Sequence, residues 1–296
     1  MTLTSTKGCG IMRIGFIGAG RVGTAFGIYL KNRGFQLSGY LSRSLHSAKT
    51  AAELTDSQVY SNDVSLVKDS DLLFITCNDD QIESVARNIF STGNSLKNRS
   101  FAHMSGALSS ASLVCLQEMG AYIYSVHPMQ SFADVTKSVE DLSNTTFGIE
   151  GPQQLEKIVS LLKKTGNNHL VLSPDQKTEY HIASCVVSNY LTALLSFGFN
   201  MMQSIGITQS TAISALAPMI NGTIRNIIRT GPEKALTGPI ARGDVETIIK
   251  HLQVFNAART DESDTYKLLG RLTLALAQKE ILKEKNKIEM LTKLLT

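Results

Sequence analysis

The sequence predicts an α/β chain in which a doubly wound, mostly parallel sheet precedes an all-helical second part. Three observations carry that expectation. Short apolar runs alternate with helical-period segments through the first half, the pattern of βαβ units. A glycine-rich turn, residues 18–23, joins the first apolar run to the first helical one. After Ser173-Pro174 the strand-like runs stop. The domains are therefore expected at residues 11–172 and 173–296. With 43% hydrophobic and 18% charged residues over a length of 296, the chain can build both cores and is too apolar for intrinsic disorder.

Taken in order, the expected strands are Arg13 to Ile17, Gln36 to Leu41, Val59 to Tyr60, Asp71 to Thr76, Ser100 to His103, Ala121 to Val126 and Thr146 to Ile149. Seven such strands fit one doubly wound sheet. A helix near Gln153 to Lys164 and a last strand at His169 to Leu172 close the first part. From Ile182 to Ile224 there is no Asp, Glu, Lys or Arg, which describes a helix buried on all sides. Ser184, Ser188, Asn189, Thr192, Ser196 and Asn200 interrupt that run at every turn, so no membrane span is expected. A domain of this size offers little cover for so apolar a helix, and a homodimer through the helical domain is expected to supply it. Further helices near Asp244 to Asn256 and Ser263 to Lys279 follow, and the lysine-rich end from Lys279 reads as amphipathic and solvated.

Composition narrows the function classes. There are 29 Lys and Arg against 25 Asp and Glu, a formal charge of only +4, spread along the chain with few aromatics beside it. A nucleic-acid surface is not expected. Cys9, Cys77, Cys115 and Cys185 have no metal-ligand spacing and read as free thiols, so no metal is expected. The Met1 to Gly10 segment lacks the apolar run of a secretory signal and reads as a short disordered lead-in, which makes the expected location cytoplasmic.

The cofactor expectation rests on position as much as on motif. Gly18, Gly20 and Gly23 stand in GxGxxG spacing, with Ala19, Arg21 and Val22 between them, directly after a strand and directly before a helix. Glycines there allow a tight turn and close approach to a pyrophosphate, whose charge is met by free N–H groups at the helix N-terminus. About 20 positions on, where an NAD site carries Asp or Glu, this chain has Ser42, Arg43 and Ser44. Donors and a positive charge without a carboxylate favour NADP(H) over NAD. Thr76, Asn78 and Asp79 end the fourth strand on the side where ligands bind in such sheets, Asp79 having helix capping as its plainer role.

The substrate side is expected from three places. His103 and Ser105 follow one strand; His127, Gln130 and Ser131 follow another. Lys177, His181, Ser184 and Ser188 recur at helical spacing on the first long helix, with Asn189 on the flank. A polar stripe on an otherwise apolar helix needs polar company, and a substrate cleft provides it. Further on, Gly238, Pro239 and Gly243 surround Arg242 and the N-cap candidate Asp244, which leaves Arg242 to hold a carboxylate.

These segments, "IGFIGAGRVG", "HMSGA", "SVHPMQSF", "EYHIASCVVSNYL" and "LTGPIARGD", resemble in order and spacing the Rossmann-like family that contains the alternative form of ketopantoate reductase. The likeness covers nearly the whole chain after Gly10. The wider group includes 6-phosphogluconate dehydrogenase, β-hydroxyacid dehydrogenases and pyrroline-5-carboxylate reductase, all pairing a dinucleotide domain with a helical one. The resemblance implies NADPH-dependent reduction of 2-dehydropantoate to pantoate, a step of pantothenate and coenzyme A synthesis. It implies Lys177 or His181 as the acid, Asn189 and Ser105 orienting the carbonyl, and Arg242 or His127 on the carboxylate. In the β-hydroxyacid dehydrogenases a helix carries Lys and Asn four apart; here the matching pair is Lys177 and His181. A cyclic imine acid or another 2-oxo or 3-hydroxy acid is the alternative substrate. A non-catalytic NADP-binding sensor is the alternative of another class.

Overall fold

The structure, a computed structural model, describes residues 12–152, 155–255 and 259–296. The lead-in, Cys9, the first residues of the helix expected from Gln153 and the last of that expected to Asn256 lie outside the described residues. The chain divides into two compact units between Ala193 and Leu194.

Among the described residues the first unit holds one sheet of eight strands: β1 (Arg13–Ile17), β2 (Gln36–Leu41), β3 (Gln58–Val59), β4 (Leu72–Ile75), β5 (Ser100–His103), β6 (Tyr122–Pro128), β7 (Phe147–Glu150) and β8 (His169–Val171). Their order is β3-β2-β1-β4-β5-β6-β7-β8. All pairings are parallel except β6 with β7, where Ser125 faces Glu150 and His127 faces Gly148. The expected doubly wound, mostly parallel sheet is therefore what the chain forms, with strand ends moved by a residue or two. Because β1 is flanked by β2 on one side and β4 on the other, the strand order reverses there, and the crevice at their carboxyl ends is where such sheets bind ligands.

Alternation along the strands decides which face each side chain covers. Leu72 and Phe74 of β4 join Ile14 and Phe16 under helices α1 (Arg21–Asn32) and α2 (Leu45–Thr55), while Leu73 and Ile75 point to the other face under α3 (Asp63–Lys68) and α4 (Asp79–Ser91). Phe16 stacks on Tyr40 at 5.0 Å and on Phe74 at 5.7 Å, and Phe26 of α1 meets Phe74 edge-on at 5.1 Å. This aromatic cluster fixes α1 against β1 and so fixes the glycine turn between them. Short helices α5 (Val114–Glu118) and α6 (Val135–Asp141), then α7 (Glu156–Thr165), complete the layers.

A long helix follows. A 3₁₀ turn at Pro174–Gln176 leads into α8 (Lys177–Cys185), a π turn at Val186–Tyr190 and α9 (Leu191–Gln203). The expectation that this apolar stretch is buried does not hold for the single chain. Val187 is 70% exposed, and Ile182, Val186, Tyr190 and Leu194 are exposed too. None of its apolar 18-residue window is buried, and by length and composition alone the helix could cross a membrane. Only the α8 face carrying Lys177 meets the first unit's core, and one sheet edge cannot cover a helix that is apolar all round.

The second unit is helical: the rest of α9, then α10 (Gln209–Thr230), α11 (Pro232–Ala235), α12 (Pro239–Arg242), α13 (Val245–Gln253), α14 (Thr260–Glu280) and α15 (Lys285–Leu295). Its core gathers Ile240, Ile248, Leu274 and Ala277 with Leu282, Leu291 and Leu295. The lysine-rich end is thus not merely solvated. It is amphipathic, as the pattern says, but its leucine face is fully buried, with Leu295 packed over Gly270.

Candidate active site

The glycine turn makes a groove from backbone. Gly18 has φ +111°, and a Cβ there would meet the Thr76 and Cys77 backbone at 2.8 to 2.9 Å, so only glycine lets the turn close against the end of β4. Gly20 is the N-cap of α1 and has open space where a Cβ would stand; no side chain caps the helix and no acidic residue lies in its first turn. The α1 N-terminus therefore keeps its free N–H groups beside an uncrowded surface, the arrangement that suits a pyrophosphate. Gly23 packs α1 on Thr76, whose hydroxyl donates to the Gly18 carbonyl at 2.9 Å.

Two adjoining hollows share Gly20, Thr76, Cys77 and Asn78. One, of about 400 Å³, runs to Ser42 and Arg43 and also takes in Ala19 and Asp63. The other takes in Arg21, Val22, Asp79, Met104, Ser105 and Phe132. The structure thus brings nearly every residue expected at the cofactor into one groove across β1 and β4. Gly23 and Ser44 are the exceptions: Gly23 packs under the groove on Thr76, and the Ser44 hydroxyl caps α2, accepting from the Ser47 amide at 3.2 Å. Asp79 does more than open α4, since its carboxylate accepts from the Ser105 hydroxyl at 2.7 Å.

A third hollow, again about 400 Å³, lies between the loop after β6 and α8. His127, Gln130 and Ser131 line one side; His181, Ser184, Cys185, Ser188 and Asn189 line the other. Ser131 faces this hollow and its neighbour Phe132 faces the cofactor groove, so one loop touches both. The π turn matters here. Its wider winding carries Asn189 from the flank of the stripe into the same cavity as His181 and Ser188. Gln130 is held by bonds to Ser138 and Thr145, which leaves it a scaffold as well as a wall.

Two expected site residues of the first unit stand elsewhere, and a third belongs to the other unit. Lys177 is only 1% exposed and lines none of these hollows. Its ammonium donates to the Ser105 carbonyl at 3.1 Å and the Ser125 hydroxyl at 2.9 Å, tying the loop after β5 to strand β6. Burial pushes its pKa down to about 8, against the pull of the Glu150 and Asp79 carboxylates. The helical stripe was expected to bring Lys177 to the cleft; it points inward instead because the sheet edge offers it buried oxygens. His103 is wholly buried, with one ring nitrogen on the Ser109 carbonyl and the other accepting from the Ser105 amide. Burial holds its pKa down to about 4, so it serves as a neutral strut. Arg242 belongs to the second unit, exposed at the end of α12.

Sequence reading passed over Tyr180, Cys185 and Glu150. Glu150 is buried and accepts from the Ser110 amide and hydroxyl at 2.6 and 2.8 Å, a counter-charge for Lys177. The Cys185 sulfur lies 3.5 Å from His181 Nε2. Tyr180, directly before His181, places its hydroxyl 2.8 Å from His127 Nδ1. Its neighbour in sequence was the one available signal. Among the described residues, no group of three His, Cys, Asp or Glu could hold a metal ion.

Comparison with known proteins agrees with this architecture. Residues 5–128 match the family model of a Rossmann-like domain, and residues 145–273 match that of a domain of unknown function (DUF2520). No curated protein matches the chain. Among solved structures it is similar to protein TM1727 from Thermotoga maritima, at 24% identity and a TM-score of 0.69, over 90% of this chain and 99% of that one. It is also similar to a reductive aminase from Aspergillus terreus in complex with NADPH and ethyl-5-oxohexanoate, at 12% identity and 0.60, over 96% and 92%. A pyrroline-5-carboxylate reductase from Coxiella burnetii shares 13% identity at 0.56, over 96% and 98%. At these identities the likeness is one of fold.

Proposed function

We propose that the protein is an NADPH-dependent reductase of a small oxo acid, with 2-dehydropantoate as the substrate and pantoate as the product. The observation that carries the reading is the continuous groove from Arg43 over Gly18 and Gly20 to Thr76 and Asn78, with a second, histidine-lined cavity beside it. Two of the structures it resembles are reductases or aminases, one of them in complex with NADPH.

Gly18 to Gly23 and the α1 N-terminus hold the pyrophosphate, Ser42 and Arg43 hold the ribose phosphate, and Thr76, Asn78 and Asp79 border the nicotinamide. NADPH, when bound, supplies a hydride to the 2-oxo carbon. The protein's own part is to bind the acid, exclude water and deliver a proton to the developing alkoxide, a contribution of about 10²–10⁴ in rate. His181 gives that proton, because Lys177 is buried and already donates to two oxygens. Asn189 orients the carbonyl and His127 meets the carboxylate; Ser105 acts by holding Asp79 and its own loop. Arg242 is the second candidate for the carboxylate, tested by the KM of Arg242→Ala. A second copy of the chain covers the exposed apolar residues of α10 and of the turn before it, among them Ile205, Met219 and Ile228. Sedimentation at twice the chain mass without detergent supports that; a species that needs detergent to stay in solution speaks for a membrane.

The test is NADPH consumption with 2-dehydropantoate, a panel of 2-oxo acids and pyrroline-5-carboxylate, with NADH as the control. Turnover confined to 2-dehydropantoate and NADPH supports the reading; turnover only on the imine moves the substrate class. NADPH binding without turnover on any of them returns the sensor. Arg43→Ala removes one charge-assisted contact of about 1.5–3 kcal/mol, so the preference for NADPH over NADH falls roughly ten- to a hundredfold. An unchanged preference takes Arg43 out of the cofactor site.

A further inference from the structure

His127 is gripped by two consecutive residues of α8. Tyr180 Oη lies 2.8 Å from its Nδ1, with the rings edge-to-face at 5.5 Å. His181 stands on the other side, its ring 6.3 Å away and nearly perpendicular. Two glycines make room for this. A Cβ on Gly148 would meet Tyr180 Oη at 2.5 Å, and a Cβ on Gly106 would meet His181 Nδ1 at 2.6 Å and His127 Nε2 at 2.9 Å. The His127 and His181 nitrogens thus converge over Gly106, at the wall of the α8 cavity. His181 Nδ1 is buried and has no hydrogen-bond partner among the described residues, and His127 Nε2 has none either.

We propose that Tyr180 is a positioning residue that fixes His127 in the tautomer with its hydrogen on Nε2, so that this N–H, beside His181, is the donor offered to a substrate carboxylate. The direction of the Tyr180–His127 bond follows from acidity. A phenol is a stronger acid than a neutral imidazole N–H, and the bare ring nitrogen accepts better than a phenol oxygen, so the hydroxyl donates and Nδ1 accepts. Burial keeps Tyr180 a phenol, its pKa raised to about 12. With Nδ1 occupied as an acceptor, the one hydrogen of a neutral ring sits on Nε2. The ring stays neutral because it is buried and because Lys177, His181 and His103 all disfavour a further positive charge, holding its pKa near 3. A tyrosine that donated nothing would leave His127 free to turn its bare nitrogen toward the carboxylate, which would repel it.

The tautomer assignment needs no substrate; the carboxylate contact rests on the reductase reading. The experiment is nitrogen NMR of ¹⁵N-histidine-labelled protein, with the His127 signals assigned by their loss in His127→Asn. The expected spectrum shows Nε2 protonated and Nδ1 bare from about pH 8 down to about pH 5. In Tyr180→Phe the hydrogen bond that favours the neutral ring is gone, so His127 titrates at higher pH than in the parent. A parent ring protonated on Nδ1 in that range overturns the proposal without any variant having to fold. So does a Tyr180→Phe titration that does not move. Where the parent reduces an oxo acid, Tyr180→Phe and His127→Asn each raise the KM for the acid about tenfold while kcat falls far less. Unchanged KM in both removes the carboxylate contact. A parent that reduces nothing leaves the spectrum to decide the tautomer alone and counts against the reductase reading only.

Discussion

The groove across β1 and β4 and the cavity beside α8 are neighbours built from different material. In the groove the shape is set by backbone: a glycine at φ +111°, a helix N-terminus left uncapped, a threonine bonded to a carbonyl. In the cavity it is set by side chains: His127 of β6 and Tyr180 of α8, 53 residues apart, lock together, and His181 pairs with Cys185 one turn on along α8. A backbone site tolerates no change of main-chain geometry but is indifferent to most side chains around it. A side-chain site is the reverse: it loses function residue by residue while the fold stands.

The largest effect expected is on the backbone side. Gly18→Ala places a methyl within 2.9 Å of the Thr76 carbonyl group at a φ that L residues rarely adopt, so the turn must open. NADPH binding is lost and the melting temperature falls. Gly20→Ala is its control, because no atom stands within 4 Å of the added methyl. That variant keeps its melting temperature and loses cofactor affinity alone, by titration of NADPH fluorescence. If both variants bind NADPH as the parent does, the groove is not the cofactor site.

On the side-chain side the sharpest contrast is within one helix. His181→Ala lowers kcat by about two orders of magnitude or more, with NADPH binding and melting temperature nearly unchanged. Lys177→Ala leaves the Ser105 carbonyl and Ser125 hydroxyl without their buried donor, which costs about 1–3 kcal/mol for each group left unpaired. Its signature is therefore a lower melting temperature, with activity lost as the loop after β5 loosens from β6. The opposite pattern, a stable but inactive Lys177→Ala and an active His181→Ala, would exchange their roles.

The same division explains what could be read from the chain before its structure. The sheet and the glycine turn are local patterns: Leu72 to Ile75 alternate between the two cores, and the motif residues are contiguous. The polar stripe on α8 was legible as a stripe, yet helical spacing cannot say whether Lys177 points at substrate or at a buried hydroxyl and a buried carbonyl 52 and 72 residues away. Asn189 fell on the flank because the π turn at Val186–Tyr190 has no signature in a 3.6-residue period. The apolar run from Ile182 was read as buried because hydrophobicity predicts cover without saying that the same chain supplies it. Tyr180 was missed since its partner, His127, lies 53 residues earlier.

A further expected effect separates the buried histidines from the reaction altogether. His103 has its pKa held down to about 4 and His127 to about 3, against 6.5 for an ordinary histidine. Below about pH 6.5 the unfolded chain takes up protons that the folded chain refuses, so stability rises with pH across this window and is lost on acidification. Complete burial of His103 makes its share about 3 kcal/mol by pH 4. Thermal unfolding at pH 7 and pH 4.5 should show a lower midpoint in acid, and the loss should shrink in His127→Asn, which has no imidazole to protonate. Since no cofactor enters that measurement, an acid-insensitive midpoint would show that these histidines are hydrated in solution, and with them the wall of the α8 cavity.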